Sequence, residues 1–175
     1  MKLEILIYPN KKLRKISQKV KIFDQKLHEL LDDMYVTIED QENAIGLAAI
    51  QVGIELRVIV LNIPDETTEY QKIKENTLEI INPVIIEKNG LEKSQEGCLS
   101  VPGVYEDVER AKHVKVEYFD RNGDKHTIED DDFLAIAIQH EIDHLDGKVF
   151  IEKLSYIKRK KFEKEWKRKQ KEGLV

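Results

Sequence analysis

Five consecutive residues, His140-Glu141-Ile142-Asp143-His144, place two imidazoles and a carboxylate inside a strongly apolar stretch. An α-helix turns about 100° per residue, so His140 and His144 stand roughly 40° apart, one turn from each other on one face. Glu141 flanks that face. Two imidazoles so spaced can hold a divalent metal, while the carboxylate reaches a water bound to the ion rather than the ion itself. That is the equipment of metal-assisted hydrolysis. The competing reading is two structural histidines and an ordinary Glu. The Glu at the second position and the apolar helix weigh against it.

A catalytic metal usually keeps three protein ligands and one open position. The candidate third ligand is Cys98, in Glu96-Gly97-Cys98-Leu99-Ser100, where Gly97 frees the backbone. A lone Cys is also a common apolar filler. Glu163 and Glu165 lie at the downstream distance where some H-E-x-x-H proteases take a third ligand, but they fall in a lysine-rich segment that reads as solvated. A further segment, Ala44-Ile45-Gly46-Leu47-Ala48-Ala49-Ile50-Gln51, allows close approach of another backbone or a substrate through Gly46 and its alanines. Gln51 there is an uncharged donor suited to a developing oxyanion, or alternatively a capping residue in a tight core crossing.

Other elements must position these groups. Residues 24–43 read as a helix: Asp24 can cap it, and Leu27, Leu30, Leu31, Met34 and Ile38 recur at helical spacing. Residues 56–61 form an apolar run typical of a buried strand. Residues 64–76 are polar and read as a surface loop. Residues 78–87 and 91–94 read as strands joined by Asn89-Gly90, a strong hairpin signal. Residues 113–118 alternate as a half-buried strand, and the 121–124 turn leads back into 125–128. A second long helix begins near Asp130, where acids suit its dipole, and ends before Gly147. Its apolar residues Phe133, Leu134, Ile136, Ile138, Ile142 and Leu145 surround it, so it is expected to be buried and central. A last helix runs from about Ser155 through Trp166. This order argues α+β: antiparallel strands packed around a central metal-binding helix, with an N-terminal and a C-terminal helix.

The 175 residues suit one domain, 1–175. With 41% apolar and 36% charged residues, composition is that of an ordinary globular protein. No apolar run reaches a membrane span of about 20 residues, and the early acid Glu4 argues against a signal peptide. A single cysteine excludes an intrachain disulfide and fits a reducing cytoplasm. The net charge of −5 is unevenly placed. Residues 152–175, the basic C-terminal helix, carry ten Lys/Arg and four Glu, or +6; the rest of the chain is −11. Such a tail suggests a polyanionic partner, or else a solvated helix face. His28, His113 and His126 carry no motif and read as surface or structural residues.

Taken together, the three segments resemble peptide deformylase, whose motifs are G-x-G-x-A-A-x-Q, E-G-C-[LM]-S and H-E-x-D-H. They occur here in the family's order and spacing, with one departure: Ala44 replaces the first Gly. A positive φ at that position would cost Ala about 1 kcal/mol. The resemblance implies hydrolytic removal of formyl from the N-terminal formyl-methionine of nascent chains. It implies Cys98, His140 and His144 as ligands of Fe2+, with Zn2+, Ni2+ or Co2+ able to occupy the same site. Glu141 would move the proton, and Gln51 and the Leu99 N–H would stabilise the oxyanion. The peptide would lie extended near Ile45, Gly46 and Gly97. By the same likeness Ile45, Glu96, Phe133, Ile136, Ala137 and His140 border a methionine pocket. The basic tail is then expected to meet ribosomal RNA, with neither DNA nor a membrane as partner. The alternatives are an H-E-x-x-H endopeptidase and a non-catalytic ribosome-binding module.

Overall fold

The computed structural model describes residues 1–175. Helix α1 (Gln25–Glu39) starts where Asp24 accepts a hydrogen bond from the Leu27 N–H, as its position before the apolar stripe requires. It stops short of Asn43 because the chain turns at Asp40 toward an edge strand. Seven strands follow: β1 (Gly46–Ala48), β2 (Val58–Leu61), β3 (Leu78–Asn89), β4 (Glu92–Cys98), β5 (Val101–Arg110), β6 (His113–Phe119) and β7 (Lys125–Asp130). Helices α2 (Phe133–Leu145) and α3 (Tyr156–Lys171) complete the chain.

All strand pairs are antiparallel. They form a five-stranded sheet in the order β1-β2-β3-β6-β7 and a separate ribbon of β4 and β5. The Asn89-Gly90 turn is present, but the hairpin expected around it is not. Strand β3 pairs with β2 and β6, whereas β4 pairs with β5. The turn carries the chain from one sheet to the other, and its two flanking strands do not meet. The strand β5 had no counterpart in the sequence reading. Pro102 and Gly103 near its start, and three acids along it, obscure its alternation.

Strand β2 explains its own apolar run. Ile59 and Leu61 face α2 on one side of the sheet, and Val58 and Val60 face α1 on the other. A strand covered on both faces needs no polar alternation. Helix α2 is therefore packed between the five-stranded sheet and the ribbon, with ten of its 13 residues buried. Its first turn is held by Asp130, whose carboxylate accepts from the N–H of Asp132 and of Ala135. Gln139 ties the middle of the helix to the β5–β6 connection, donating to the Ala111 carbonyl at 2.8 Å and accepting from the Ala111 N–H at 3.1 Å.

A third apolar cluster joins the ribbon to α3 through Val101, Val108, Phe150, Phe162 and Trp166. Trp166 also donates its indole N–H to the Tyr8 carbonyl at 3.0 Å. On α3, Phe162 and Trp166 are buried in this cluster, whereas Tyr156 and Ile157 face solvent. No helix is long and apolar enough to cross a membrane. His28, His113 and His126 bond locally to Arg121, Glu129 and Asp120, away from the metal-ligating cluster.

Candidate active site

The ligand atoms of Cys98, His140 and His144 lie within 4.8 Å of one another. Helix α2 supplies both imidazoles from one face; the end of β4 supplies the thiol. The β4–β5 register shifts between Glu96 and Cys98, so the ladder is irregular where the strand must present Cys98 to the helix. Cys98 Sγ stands 3.3 Å from His144 Nε2. His140 donates through Nδ1 to Glu96 Oε1 at 2.7 Å, which leaves Nε2 as its free donor atom.

The charges fit a cation at this point. Burial opposes a proton on His140, but hydrogen bonds to Cys98 and Glu96, with the nearby charges of Cys98 and Glu141, raise its pKa to about 10. Burial and the neighbouring cations His140 and Arg110 push His144 well below its ordinary value, so it stays neutral. A proton on His140 thus stands beside a sulfur and a neutral second imidazole. A divalent ion can replace that proton, and a mixed sulfur and imidazole set suits transition metals.

Glu141 lies beside the three, 6% exposed, and its Oε2 meets no donor from the protein. Burial raises its pKa to about 7, against the lowering influence of His140 and Arg110. Gly46 makes room for it. A Cβ added there would fall 2.7 Å from Glu141 Oε1 and 2.6 Å from Leu61 Cδ2, closer than real Cβ contacts. Ala44, by contrast, has no positive φ and packs into the core beside α1, so the methyl that departs from the family motif costs no backbone strain.

Gln51 sits in a short 3-10 turn, Ala49–Val52, after β1. Its Oε1 accepts from the Ala48 N–H at 2.9 Å. Because that partner is a donor, the amide oxygen must face it, and the NH2 group must face the site. Nε2 donates to Ser100 Oγ at 3.2 Å and to Cys98 Sγ at 3.5 Å. Among the hydrogen bonds outside helices and strands, none uses the neighbouring Leu99 N–H.

A cleft of about 740 Å³ opens over these groups. Gln51, Cys98, Leu99, His140 and Glu141 line it, as do Ile45, Gly46, Glu96, Gly97, Phe133, Ile136 and Ala137. Every foreseen site residue except His144 reaches the cleft; His144 lies behind, 1% exposed. Phe133 is 49% exposed and so belongs to the rim, not the core. Glu96 is a wall residue whose carboxylate is turned away, both oxygens being engaged by Arg110 and one also by His140. Burial would raise its pKa, but hydrogen bonds from His140 and Arg110 outweigh that and hold it below the usual carboxylate range.

Strand β1 is the edge of its sheet. The Ile45 carbonyl accepts from the Asn62 N–H at 2.8 Å. Since successive residues of a strand point their N–H and C=O to opposite sides, those of Gly46 lie on the free edge, toward the cleft. Sequence reasoning missed two parts of the wall, Ile5 and Ile7 from the N-terminal segment and Tyr105 from β5. Tyr105 lies so close over Gly97 that a Cβ there would come within 2.6 Å of its ring. The Ile5 and Ile7 alternation was a signal, though a two-residue one.

Known proteins agree with this geometry. The family model described as Polypeptide deformylase matches residues 2–160. The peptide deformylase of Nautilia profundicola is 52% identical over 166 residues, covering 95% of this chain and 94% of that one. That of Helicobacter pylori (strain HPAG1) is 55% identical over 170 residues, covering 97% and 96%. Among solved structures, the Legionella pneumophila peptide deformylase matches with a TM-score of 0.85 at 39% identity, covering 97% and 98% of the two chains. The Ehrlichia chaffeensis enzyme in complex with actinonin matches with a TM-score of 0.86 at 38% identity, covering 96% and 97%.

The raised pKa of Glu141 has a consequence for stability. A carboxyl whose pKa moves from 4.5 unfolded to about 7 folded stabilises the native state only while protonated. That contribution is complete below about pH 4.5 and is lost as pH rises toward 7. The metal-free Glu141→Gln protein is therefore expected to melt above metal-free wild type at pH 8, by several degrees, with the gap closing near pH 4.5. Melting curves at a series of pH values check this; a gap that widens toward acid contradicts it.

Proposed function

The chain belongs to the peptide deformylase family, and on that premise we propose how its cleft carries out the reaction. The protein is a metal-dependent hydrolase that removes the formyl group from the N-terminal formyl-methionine of newly made polypeptides, releasing formate. We assign Cys98, His140 and His144 as the ligands. The convergence of these three donors beside a buried, unpartnered Glu141 is the observation that carries the reading. Fe2+ is the proposed native ion, with Zn2+, Ni2+ or Co2+ able to take the same donors. When bound, the ion supplies Lewis acidity, polarising the formyl oxygen and bringing the ionisation of water toward neutral pH. A lone thiol kept as a ligand suits a reducing cytoplasm, the location we propose.

The protein's own groups do the rest. Glu141 takes the proton of the attacking water and passes it to the leaving amine. Its raised pKa suits a group that must both accept and return a proton near neutral pH. Gln51 Nε2 and the Leu99 N–H donate to the tetrahedral oxyanion; removing one such donor typically costs about 100- to 1,000-fold. Gln51 reaches this position already oriented by Ala48. The peptide runs extended along the free edge of β1, pairing with Gly46 and facing Gly97. Ile45, Phe133, Ile136, Ala137 and the stem of Glu96 form the methionine pocket beside His140.

Formate release from formyl-Met-Ala-Ser, with no cleavage of an unformylated internal peptide, tests this. Glu141→Gln is expected to keep its metal and lose about 100- to 10,000-fold in kcat. Endopeptidase activity, or near-normal turnover of this variant at full metal content, contradicts the assignment.

We also propose that α3 contacts ribosomal RNA. Lys160, Lys164, Lys167 and Lys171 form a stripe roughly 140–200° around the helix from the buried Phe162. They face solvent while Phe162 and Trp166 hold the helix to the ribbon. Recruitment there raises the local concentration of formylated N-termini. Deleting α3 would strip Trp166 from the core and from Tyr8, so charge reversal of the four lysines is the cleaner test. Ribosome co-sedimentation should weaken, and for the unaltered protein fall with salt, while dipeptide hydrolysis persists. Equal co-sedimentation at low salt removes this role.

A further inference from the structure

The inward face of β5 carries Val104 and Val108 and then, still in phase, Arg110. This arginine is 4% exposed and all of its charge is used within the protein. Its Nε and Nη2 donate to the two oxygens of Glu96, Nη2 at 2.8 Å. Its Nη1 donates to Asp143 Oδ2 at 2.9 Å. Asp143 lies between the two histidines on α2 and also receives Lys153 Nζ at 3.3 Å. Glu96 Oε1 in turn accepts from His140 Nδ1. One guanidinium thus grips both a carboxylate that orients a ligand and the helix turn that bears it.

The two imidazoles are treated differently. His140 gives its Nδ1–H to a carboxylate, which fixes its tautomer and makes Nε2 a stronger donor. His144 is equally buried, yet its Nδ1 finds no partner in the protein. Of the two imidazoles, only His140 is therefore adjusted by a protein hydrogen bond at Nδ1, through the arm from Arg110 to Glu96.

We infer that Arg110 is a positioning residue for the metal. By its fork it holds Glu96 aimed at His140 Nδ1, and by its third nitrogen it locks the turn of α2 that presents both histidines. Lysine could keep the charge, but as a single point it cannot bridge two carboxylates. The inference rests on the ligand set proposed above.

The test is metal binding by folded protein. Wild type should bind one zinc, and Cys98→Ser should not; failure of that control overturns the ligand set, independently of Arg110. With the control met, Arg110→Lys should raise the zinc dissociation constant by about 10- to 100-fold and shift the visible spectrum of the cobalt form. In a Glu96→Gln background the same substitution should cost less than it does alone, because one of its two holds is already cut. An unchanged dissociation constant and cobalt spectrum in a folded Arg110→Lys protein, or full additivity with Glu96→Gln, overturns the inference. A measurement on wild type stands even where the variant does not fold. Nitrogen NMR of the zinc form should find His140 protonated at Nδ1, in slow exchange with solvent, and ligated at Nε2. Finding Nε2 protonated overturns it as well.

Discussion

Helix α2 is buried between a sheet and a ribbon, yet it carries Gln139, His140, Glu141, Asp143 and His144. A buried polar group without a partner costs several kcal/mol, and a buried charge costs more. Every element that touches α2 is arranged around this constraint. The ribbon brings Cys98, Glu96 and Arg110 to the histidines. The β5–β6 connection satisfies Gln139. Strand β1 gives up its side chain at Gly46 so that Glu141 fits beside it. The accounting stays open at Glu141 Oε2 and His144 Nδ1, neither of which meets a partner within the protein.

The same constraint explains why the sheet and ribbon are separate. A single continuous sheet could cover one side of α2. Splitting β4 and β5 from it lets the chain pass the helix on its other side, so the thiol meets the imidazoles from across the helix. Edge strand β1 and the ribbon then flank an open cleft, and the proposed binding mode pairs an extended peptide with that edge. A free edge is also a liability, and the three-residue length of β1 limits it.

Much of this was legible in the residues. The H-E-x-D-H spacing put both imidazoles on one face of a helix, and the apolar surround of that helix foretold its burial. Gly46 was readable as a close approach, and the partner proved to be Glu141. The hairpin at Asn89-Gly90 misled because turn chemistry reports a local reversal, not which strands pair beyond it. Strand β5 was hidden by Pro102, Gly103 and its run of acids. With it went Arg110, although an arginine in phase with Val104 and Val108 is a charge pointing inward and requires a buried counter-ion. Glu96 was read as a border of the methionine pocket; it lines the cleft, and its carboxylate accepts from His140. No local pattern gives such a cross-element pairing, because it depends on β4, β5 and α2 meeting in space.

The central claim is that one sulfur and two imidazole nitrogens hold the ion from two different elements. X-ray absorption on anaerobically purified, active protein tests it most directly. The account predicts one metal per chain with a single sulfur scatterer at about 2.3 Å and nitrogens at about 2.0–2.1 Å, values typical of zinc in such a set. A shell of nitrogen and oxygen alone, with no sulfur, would contradict it.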